Sequence, residues 1–414
     1  MIQLNEKQMA AKDAILKFIY DPNETAIILT GGAGTGKTST ISEVIKEHAK
    51  LEKMDKVVDP TIKKLNWYIT ATTNKAKHAL KKSMPHMEVN TIHSLIGLGM
   101  FKGKLVVRRM PQVLDPSIIV IDECSYVDNR LLFLIQEQLP NSKIIYIGDA
   151  EQLAPVGMDY APVFKQGYEV LELTEPMRQV NAPHIAAYCA ELKAYIKAND
   201  KTAEFPTLEL NDEMEHYSMA EFQDIVENVF VNQEQSTNDH RILSYSNKVV
   251  QAHNSNLFSI MHGRKDFQVG DTVLVNQYVC GLKTDEQVTI KDISKVTGTK
   301  PELNGKFFTV VGDTTTVKVY SPDNYKAADK ELRRVIDDDL VVTPRDYEYL
   351  YERLADLRPL YACTVHKSQG STFDTVYIDL NPFKYVKDPI AMARLLYVAI
   401  SRASRKVIMT GDIG

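Results

Sequence analysis

The sequence has few cysteines and no long apolar run, and each of these absences excludes a class of protein. Only four cysteines occur in 414 residues, Cys124, Cys189, Cys280 and Cys363, and none forms a C-x-x-C pair. We therefore expect reduced, mostly buried thiols of a cytosolic-type compartment and no zinc site. No apolar stretch reaches the roughly 18 residues of a membrane span, and the amino-terminal "MIQLNEKQMAAK" is too polar for a signal peptide.

The sequence also lacks an excess of positive charge. Its formal net charge is −5, which argues against a passive nucleic-acid coat held by charge alone but is compatible with a local basic channel. Hydrophobic residues make up 44% and charged residues 25%, as in ordinary globular proteins that bury a core. The length suits two to four compact units, and we find no internal repeat, protease motif or metal-binding motif.

A glycine-rich stretch, "GGAGTGKT" at residues 31–38, matches the phosphate-binding pattern G-x-x-x-x-G-K-[ST]. The apolar "TAIILT" precedes it and the amphipathic "STISEVIKEHAK" follows it, as a strand and a helix should. Backbone amides of such a loop face the phosphates, and the helix N-terminus adds partial positive charge. A chance match is the alternative, and both flanks argue against it. The predicted nucleotide-binding residues are Gly31, Gly32, Ala33, Gly34, Thr35, Gly36, Lys37, Thr38 and Ser39.

An acidic pair follows another apolar strand. The stretch "IIVIDE" ends in Asp122 and Glu123, which is the arrangement of the Walker B motif in proteins that have such a phosphate-binding loop. Asp122 would help to hold Mg²⁺ together with Thr38, and Glu123 would orient and deprotonate the attacking water. A strand simply capped by two solvated acids is the alternative, and the phosphate loop in the same unit makes the catalytic interpretation the better one.

The order of apolar segments predicts an α/β protein. The segments "TAIILT", "NWYITATT", "SIIVIDE" and "KIIYIGD" alternate with helical stretches, which indicates a parallel sheet covered on both faces. The same alternation returns in the last quarter of the chain. Between them, residues 256–350 alternate polar and apolar around turn residues, as in a small antiparallel barrel. A second insert, 97–112, predicts a short hairpin that turns at "KGK".

Ordered motifs along the chain resemble those of superfamily 1 helicases. "DECSYVD" and "GDAEQLAPV" resemble motifs II and III, and "LNEKQMAA" resembles the Q motif. "ELTEPMRQ", "VHKSQGSTFD" and "LLYVAISRASRKVIM" resemble motifs IV, V and VI. The agreement is best with the 5′-to-3′ subgroup, superfamily 1B, of RecD and Dda type, and especially with the compact phage Dda form. The motifs span residues 8–405.

The resemblance implies two RecA-like parallel-sheet P-loop domains with a short β-hairpin insert and an SH3-like β-barrel insert. The first domain would comprise residues 1–175, with the hairpin at 97–112. The second would comprise 176–255 plus 351–414, interrupted by the SH3-like insert at 256–350. In this family ATP binds between the two domains, and opening and closing of that cleft moves the enzyme along a single strand.

The resemblance also assigns roles in catalysis. Gln152 would sense the γ-phosphate, and Arg178 and Arg402 would stabilise the charge of the transferring phosphoryl group. A surface ion pair for Arg178 and a cation at a helix C-terminus for Arg402 are the alternatives. Gln8 would recognise adenine, although with Asn5 it also fits a capping box, and both roles can hold. The implied catalytic set is Lys37, Asp122, Glu123, Gln152, Arg178 and Arg402.

Contacts to nucleic acid follow from the same resemblance, with two departures. Thr72 stands where the family usually has proline, and Asn74 stands where Dda-type proteins have histidine. His93 also fits a satisfied core histidine, and the basic residues of the hairpin also fit a solvated charged face. Phe101 is the candidate for stacking on the last base pair of a duplex. The candidate contact residues are Thr73, Asn74, Thr91, His93, Phe101, Asn247, Thr364, His366 and Lys367.

The sequence thus predicts an ATP- and Mg²⁺-dependent DNA helicase that moves 5′ to 3′ on single strands and unwinds tailed or forked duplexes. We expect a monomer in the cytoplasm of a bacterial or phage-infected cell, with replication or recombination proteins as candidate partners. An RNA helicase, or a translocase that needs a partner to unwind, is one alternative. A nucleotide-switched interaction module is another, but the complete set of transition-state residues argues against it.

Overall fold

The structure is a computed structural model, and it describes most of the chain. The described residues are 4–32, 34–61, 64–101, 104–111, 113, 116–155, 157–158, 160–175, 182–233, 235–282, 284–298, 300–312, 315–336 and 345–412. The chain divides into two compact units, one formed by Met1–Phe222 with Val365–Gly414 and the other by Gln223–Thr364. The three-part domain boundaries inferred from the sequence stay a prediction.

Strands and helices alternate through both units. The strands are β1 (Ala26–Gly31), β2 (Asn66–Ala71), β3 (Val89–Thr91), β4 (Leu98–Phe101), β5 (Lys104–Val107), β6 (Ser117–Asp122), β7 (Ser142–Gly148), β8 (Glu169–Leu173), β9 (Met214–Tyr217), β10 (His240–Ser244), β11 (Thr272–Val275), β12 (Gln287–Val296), β13 (Gly305–Val311), β14 (Thr316–Pro322), β15 (Leu357–Arg358), β16 (Ala362–Thr364), β17 (Phe373–Asp379) and β18 (Ala403–Thr410). The α-helices are α1 (Glu6–Tyr20), α2 (Lys37–Val58), α3 (Asn74–Ser83), α4 (Ile92–Leu95), α5 (Asn129–Gln138), α6 (Pro183–Ala198), α7 (Met219–Glu227), α8 (Asn247–His262), α9 (Tyr325–Ile336), α10 (Arg345–Glu352), α11 (Val365–Ser368) and α12 (Pro389–Ile400). Short 3₁₀ turns cover Cys124–Tyr126, Pro162–Lys165, Pro301–Leu303 and Asn381–Tyr385, and Asn228–Asn232 forms a π-helical turn.

A parallel sheet organises the first unit. Its strand order is β3-β2-β6-β7-β1-β8, and each pairing in it is parallel. Alternate residues of β1 enter different cores: Ile27 and Leu29 pack on one face, and Ala26 and Ile28 pack on the other. Both faces of the sheet are covered at β1, which is buried along its whole length, and the parallel pairing confirms the predicted sheet.

The carboxyl ends of these strands carry the chemistry. In a parallel sheet they lie along one edge, where ligands of α/β proteins bind. The phosphate loop follows β1, the acidic pair closes β6, and Asp149 follows β7. The residues Thr72 and Thr73 follow β2 at the same edge.

Two smaller sheets complete the first unit. The strands β17, β18 and β9 run parallel in that order, and α6 packs against α12. The strands β4 and β5 pair antiparallel, so a hairpin lies where the sequence predicted one. Within this hairpin, Lys102 and Gly103 of the predicted turn lie outside the described residues.

The second unit combines a parallel strand pair with an antiparallel sheet. The strands β10 and β16 run parallel. The antiparallel sheet has the order β14-β13-β12-β11-β15, and its core includes Val273, Ile290, Val310 and Val319. The predicted change to antiparallel structure in the middle of the chain is therefore confirmed, while the SH3-like character of this insert stays a prediction.

Two further sequence expectations concern burial and membranes. Cys124, Cys189 and Cys363 are buried, as expected of structural thiols. Among the helices of the described ranges, none combines the length and the apolarity needed to cross a bilayer.

Candidate functional site

The two outer glycines of the phosphate loop are required by its geometry. Gly36 has φ of +82° and is the N-cap of α2, and the side chain of Gln8 lies where a Cβ at Gly36 would point. A Cβ on Gly31 would lie 2.5 Å from the carbonyl oxygen of Leu173 on the neighbouring strand β8. A side chain at either position would therefore displace the backbone of the loop or its neighbour. Ala33 lies outside the described residues.

The lysine of the loop lies among carboxylates. Lys37 is the first residue of α2, and its ammonium donates to the carbonyl oxygens of Gly31 (2.6 Å) and Gly32 (2.9 Å). Burial lowers the pKa of Lys37, and the nearby charges of Asp149 and Glu123 oppose that shift. The ammonium group therefore sits where the loop, the acidic pair and Asp149 converge.

The acidic pair adopts an unusual backbone. Asp122 ends β6, and Glu123 has φ of 54° and ψ of 46°, in the left-handed region that residues with a side chain rarely occupy. Burial, and then the charge of Glu123, raise the pKa of Asp122 to about 7. Such a shift marks a buried site of excess negative charge, and sites of this kind are often functional.

Asp149 is the centre of a hydrogen-bond network after β7. It is buried and accepts from the hydroxyl of Tyr397 (2.6 Å), from the side-chain amide of Gln152 (3.2 Å) and from the backbone N–H of Glu151 (3.2 Å). Burial favours the neutral form, but the charge of Lys193 and the hydrogen bonds outweigh it, so the pKa of Asp149 is lowered. The network holds Gln152 in place through a charged carboxylate.

One cavity of about 490 Å³ brings most of the predicted catalytic residues together. Arg402 lines it, is only 2% exposed, and donates to the carbonyl oxygens of Val398 and Ser371 and to the hydroxyl of Ser401. Arg178 lies outside the described residues. The predicted residues that line the cavity are Gly34, Gly36, Lys37, Thr38, Ser39, Asp122, Glu123, Gln152 and Arg402.

Sequence reasoning missed the side chains that hold the loop after β7. Arg394 donates to the carbonyl oxygens of Ala150 (2.6 Å) and Gln152 (2.9 Å), and the amide of Gln369 donates to the side-chain oxygen of Gln152 (3.3 Å). Both Arg394 and Tyr397 lie on α12. One feature of the sequence could have indicated their role, because they are two polar side chains, three positions apart, on an otherwise apolar helix.

Glu151 and Lys193 form an ion pair beside this network, with the carboxylate oxygen 3.6 Å from the ammonium nitrogen. Burial, and then the neighbouring Asp149, raise the pKa of Glu151 to about 7. At pH values between the ordinary pKa of a glutamate and about 7, the folded protein therefore binds more protons at this site than the unfolded chain does. The contribution of Glu151 to stability is fully present below the ordinary pKa and is lost as the pH rises through about 7.

We therefore expect Glu151→Gln to change how stability depends on pH. Relative to this variant, the free energy of unfolding of the wild-type protein should fall as the pH rises from about 5 to about 8. Urea unfolding of both proteins at these two pH values measures the difference. Equal pH dependence in the two proteins would contradict the raised pKa.

Gln8 connects the first helix to the phosphate loop. Its backbone N–H donates to the side chain of Asn5 (2.8 Å), and its own side-chain oxygen accepts from the backbone N–H of Asn5 (3.0 Å). Its amide nitrogen donates to the carbonyl oxygen of Thr35 (3.0 Å). The predicted capping box is confirmed, and recognition of adenine by Gln8 stays a prediction.

Several candidate nucleic-acid contacts lie at helix starts in the first unit. Thr73 caps α3 by accepting from the backbone N–H of Ala76, and Asn74 is the first residue of that helix. Thr91 caps α4 in the same way. His93 lies on α4 and is half-buried, and burial lowers its pKa. Each threonine thus caps a helix, and burial disfavours the charged form of the His93 side chain.

Two more candidates, His366 and Lys367, lie on the short helix α11. The carbonyl oxygen of His366 accepts from the hydroxyl of Tyr126 (2.9 Å), and that of Lys367 accepts from the ammonium of Lys75 (2.8 Å). Burial lowers the pKa of His366. Phe101 is the last residue of β4 and pairs with Lys104 across the hairpin.

In the second unit, Asn247 begins α8, which Ser246 caps. The side-chain oxygen of Asn247 accepts from the guanidinium of Arg358 (3.4 Å). Thr364 is buried at the end of β16. The structure thus places Asn247 at a helix start, like Thr73 and Asn74 in the first unit.

The parallel sheet, the glycine-rich loop and the acidic pair define the class of P-loop NTPases. Two family models match the chain, an AAA domain over residues 16–158 and the UvrD-like helicase C-terminal domain over residues 359–410. The chain is 24% identical to the RecBCD enzyme subunit RecD of Mycobacterium tuberculosis, over 99% of this chain and 69% of that protein. It is 22% identical to protein R530 of Acanthamoeba polyphaga mimivirus, over 97% of this chain and 99% of that protein.

The fold is shared with solved structures of Pif1 helicases. One contains two Pif1 helicases that coordinate at forked duplex DNA, with 17% identity, a TM-score of 0.54 and coverage of 99% of this chain and 92% of that one. The Bacteroides protein in complex with ADP-AlF3 and single-stranded DNA gives 17% identity, a TM-score of 0.53 and coverage of 100% and 94%. The two family models and the RecD relatives support a superfamily 1B helicase of RecD type, the Pif1 structures show the shared fold, and none of these matches singles out the Dda form.

Proposed function

We propose that this protein couples Mg²⁺-dependent ATP hydrolysis to 5′-to-3′ movement on single-stranded DNA and to duplex unwinding. The observation that carries the proposal is one shared cavity at the carboxyl edge of the first sheet. It is lined by the phosphate loop, the acidic pair, Gln152 and Arg402. Phosphoryl transfer to water requires four parts: a loop that binds phosphate, a general base, a contact to the γ-phosphate, and a cation that stabilises the transition state.

The chemistry of the cavity fits a hydrolytic reaction. Glu123 would accept the proton of the attacking water, and the left-handed backbone at this residue sets the direction in which its side chain leaves the main chain. Gln152 would orient the γ-phosphate, and Gln152 is itself held by hydrogen bonds to Asp149 and from Arg394. Arg402 would stabilise the charge that develops on the transferring phosphoryl group.

A magnesium ion fits the residues at the mouth of the loop. The hydroxyl of Thr38 and the carboxylate of Asp122 line the same cavity, and both are hard oxygen ligands of the kind Mg²⁺ prefers. Burial, and then the charge of Glu123, raise the pKa of Asp122, and a bound cation would offset both by favouring the charged carboxylate. When bound, the ion would neutralise charge on the phosphate oxygens.

Single-stranded DNA would be held by short polar side chains and helix starts. Thr73, Asn74, Thr91 and Asn247 lie at the beginnings of helices, where backbone N–H groups favour phosphate. Contacts of this kind carry little sequence information, so we expect binding that tolerates any base sequence. The resemblance of the motifs to those of superfamily 1B helicases, and the similarity to RecD, support the 5′-to-3′ polarity.

Strand separation on two tailed duplexes tests the proposal. With ATP and Mg²⁺, we expect unwinding of a duplex that carries a 5′ single-stranded tail and none of the same duplex with a 3′ tail. A matched RNA duplex serves as the control for the nature of the nucleic acid. Unwinding of the 3′-tailed duplex would overturn the polarity, and ATP turnover indifferent to single strands would favour a nucleotide switch.

A further inference from the structure

The side chain of Thr72 joins the end of β2 to the acidic pair. Its backbone N–H donates to the carbonyl oxygen of Asp122 (3.1 Å), which continues the pairing of β2 with β6 by one residue. Its hydroxyl donates to the carbonyl oxygen of Glu123 (2.9 Å). Thr72 is only 7% exposed, so little water competes for this hydroxyl. A proline here, as the helicase resemblance would have it, could make neither hydrogen bond.

Glu123 needs such support because of its backbone. Its φ of 54° and ψ of 46° are disfavoured for a residue with a side chain, and such a conformation persists where the surroundings determine it. Its carbonyl oxygen accepts two hydrogen bonds, one from Thr72 and one from the backbone N–H of Tyr126 (3.1 Å). Together they fix the orientation of the peptide that follows Glu123 and support the left-handed backbone from which its side chain extends.

The same segment reaches the candidate DNA contacts. Thr72 immediately precedes Thr73 and Asn74 at the start of α3. The next residue, Lys75, donates through its ammonium to the carbonyl oxygen of Lys367, and the hydroxyl of Tyr126 donates to that of His366. A displacement of α3 or α11 by a bound strand would therefore reach Glu123 through short, direct hydrogen bonds.

We propose that Thr72 is a positioning residue that orients Glu123 and makes ATP turnover responsive to single-stranded DNA. The inference rests on the proposed function, since it assigns Thr72 a role in that same reaction. In this role Thr72 itself touches neither nucleotide nor DNA. It acts through the peptide of Glu123, while Thr73 and Asn74 contact the strand.

The test compares three variants in ATPase assays with and without single-stranded oligonucleotide. Thr72→Val keeps the shape and removes the hydroxyl, and we expect kcat with DNA to fall roughly tenfold to hundredfold while KM for ATP and Kd for DNA stay unchanged. Thr72→Ser restores the donor and should restore kcat. Thr70→Val is the matched control, because the hydroxyl of Thr70 on β2 also donates to a carbonyl oxygen of β6, that of Val120 (2.7 Å), three residues before Glu123.

Each outcome decides one point. Wild-type kcat with DNA in Thr72→Val, or an equal loss of kcat in Thr70→Val, would overturn the positioning role. A parallel rise in Kd for DNA in Thr72→Val would overturn it too, because it would make Thr72 part of the binding surface. If the wild-type protein itself shows no stimulation by single strands, the proposed function fails, and that result is read before any variant is compared.

Discussion

Replacing Glu123 by glutamine is expected to lower ATP turnover by about 10²- to 10⁴-fold and to leave single-stranded DNA bound. Glutamine has the shape of glutamate but accepts no proton from water, so the change removes the base and keeps the packing. The substitution leaves the main chain of residue 123 unchanged, so its carbonyl oxygen still accepts the hydrogen bond from the Thr72 hydroxyl. Steady-state ATPase assays give kcat, and fluorescence anisotropy of a labelled oligonucleotide gives Kd.

A matched control separates this effect from a general loss of acidic charge. Glu172 lies on β8, where it pairs with Lys197 at 3.0 Å on the surface of the same unit. Exposed pairs contribute little, so Glu172→Gln should leave kcat near the wild-type value. Lys37→Ala is expected to abolish turnover as well, because the loop loses its cation. Wild-type turnover in Glu123→Gln would remove Glu123 from the mechanism.

Replacing Arg402 by alanine is expected to lower kcat by about 10³- to 10⁵-fold, the range of a lost transition-state arginine. Arg402 is buried, lines the cavity and is aligned by three hydrogen bonds from its guanidinium group. Arg402→Lys retains a cation and loses the planar fork, so we expect only partial recovery of kcat. Measurement of kcat and of KM for ATP separates loss of catalysis from loss of binding.

The control for Arg402 lies three residues along the chain. Arg405 is exposed and pairs with Asp374 at 2.8 Å, so Arg405→Ala should change kcat little. Because Arg402 is buried, thermal unfolding of each variant shows whether the fold is retained. A folded Arg402→Ala protein that hydrolyses ATP at the wild-type rate would exclude the proposed role, and the Lys variant provides the same test should alanine destabilise the protein.

Local patterns in the sequence were enough to predict the first sheet and its loop. The strand "TAIILT" corresponds to β1 within one residue at each end, because its apolar residues are buried on both faces. Three glycines of the loop were predictable for a related reason, since Gly31 is closely approached by β8 and Gly34 and Gly36 have positive φ. Asp122 and Glu123 followed from the position of a strand end.

Contacts between distant segments were not predictable in this way. The hydrogen bond between Tyr397 and Asp149 joins residues 248 apart, and that between Arg394 and Ala150 joins residues 244 apart. Neither side chain has a spacing that indicates its partner. The hydrogen bond from Thr72 to Glu123 was not predictable from the sequence. The helicase resemblance suggests proline at this position, and a departure from a family pattern does not reveal what the different side chain contacts.

The capping box of the first helix has a consequence for local opening of the protein. Gln8 is held at both ends, by Asn5 in the cap and by Thr35 in the phosphate loop, so fraying of the first turn of α1 would break the hydrogen bond from Gln8 to the loop. Local opening of the two segments is then coupled through one side chain. Hydrogen exchange at the start of α1 would thus report in part on the order of the phosphate loop.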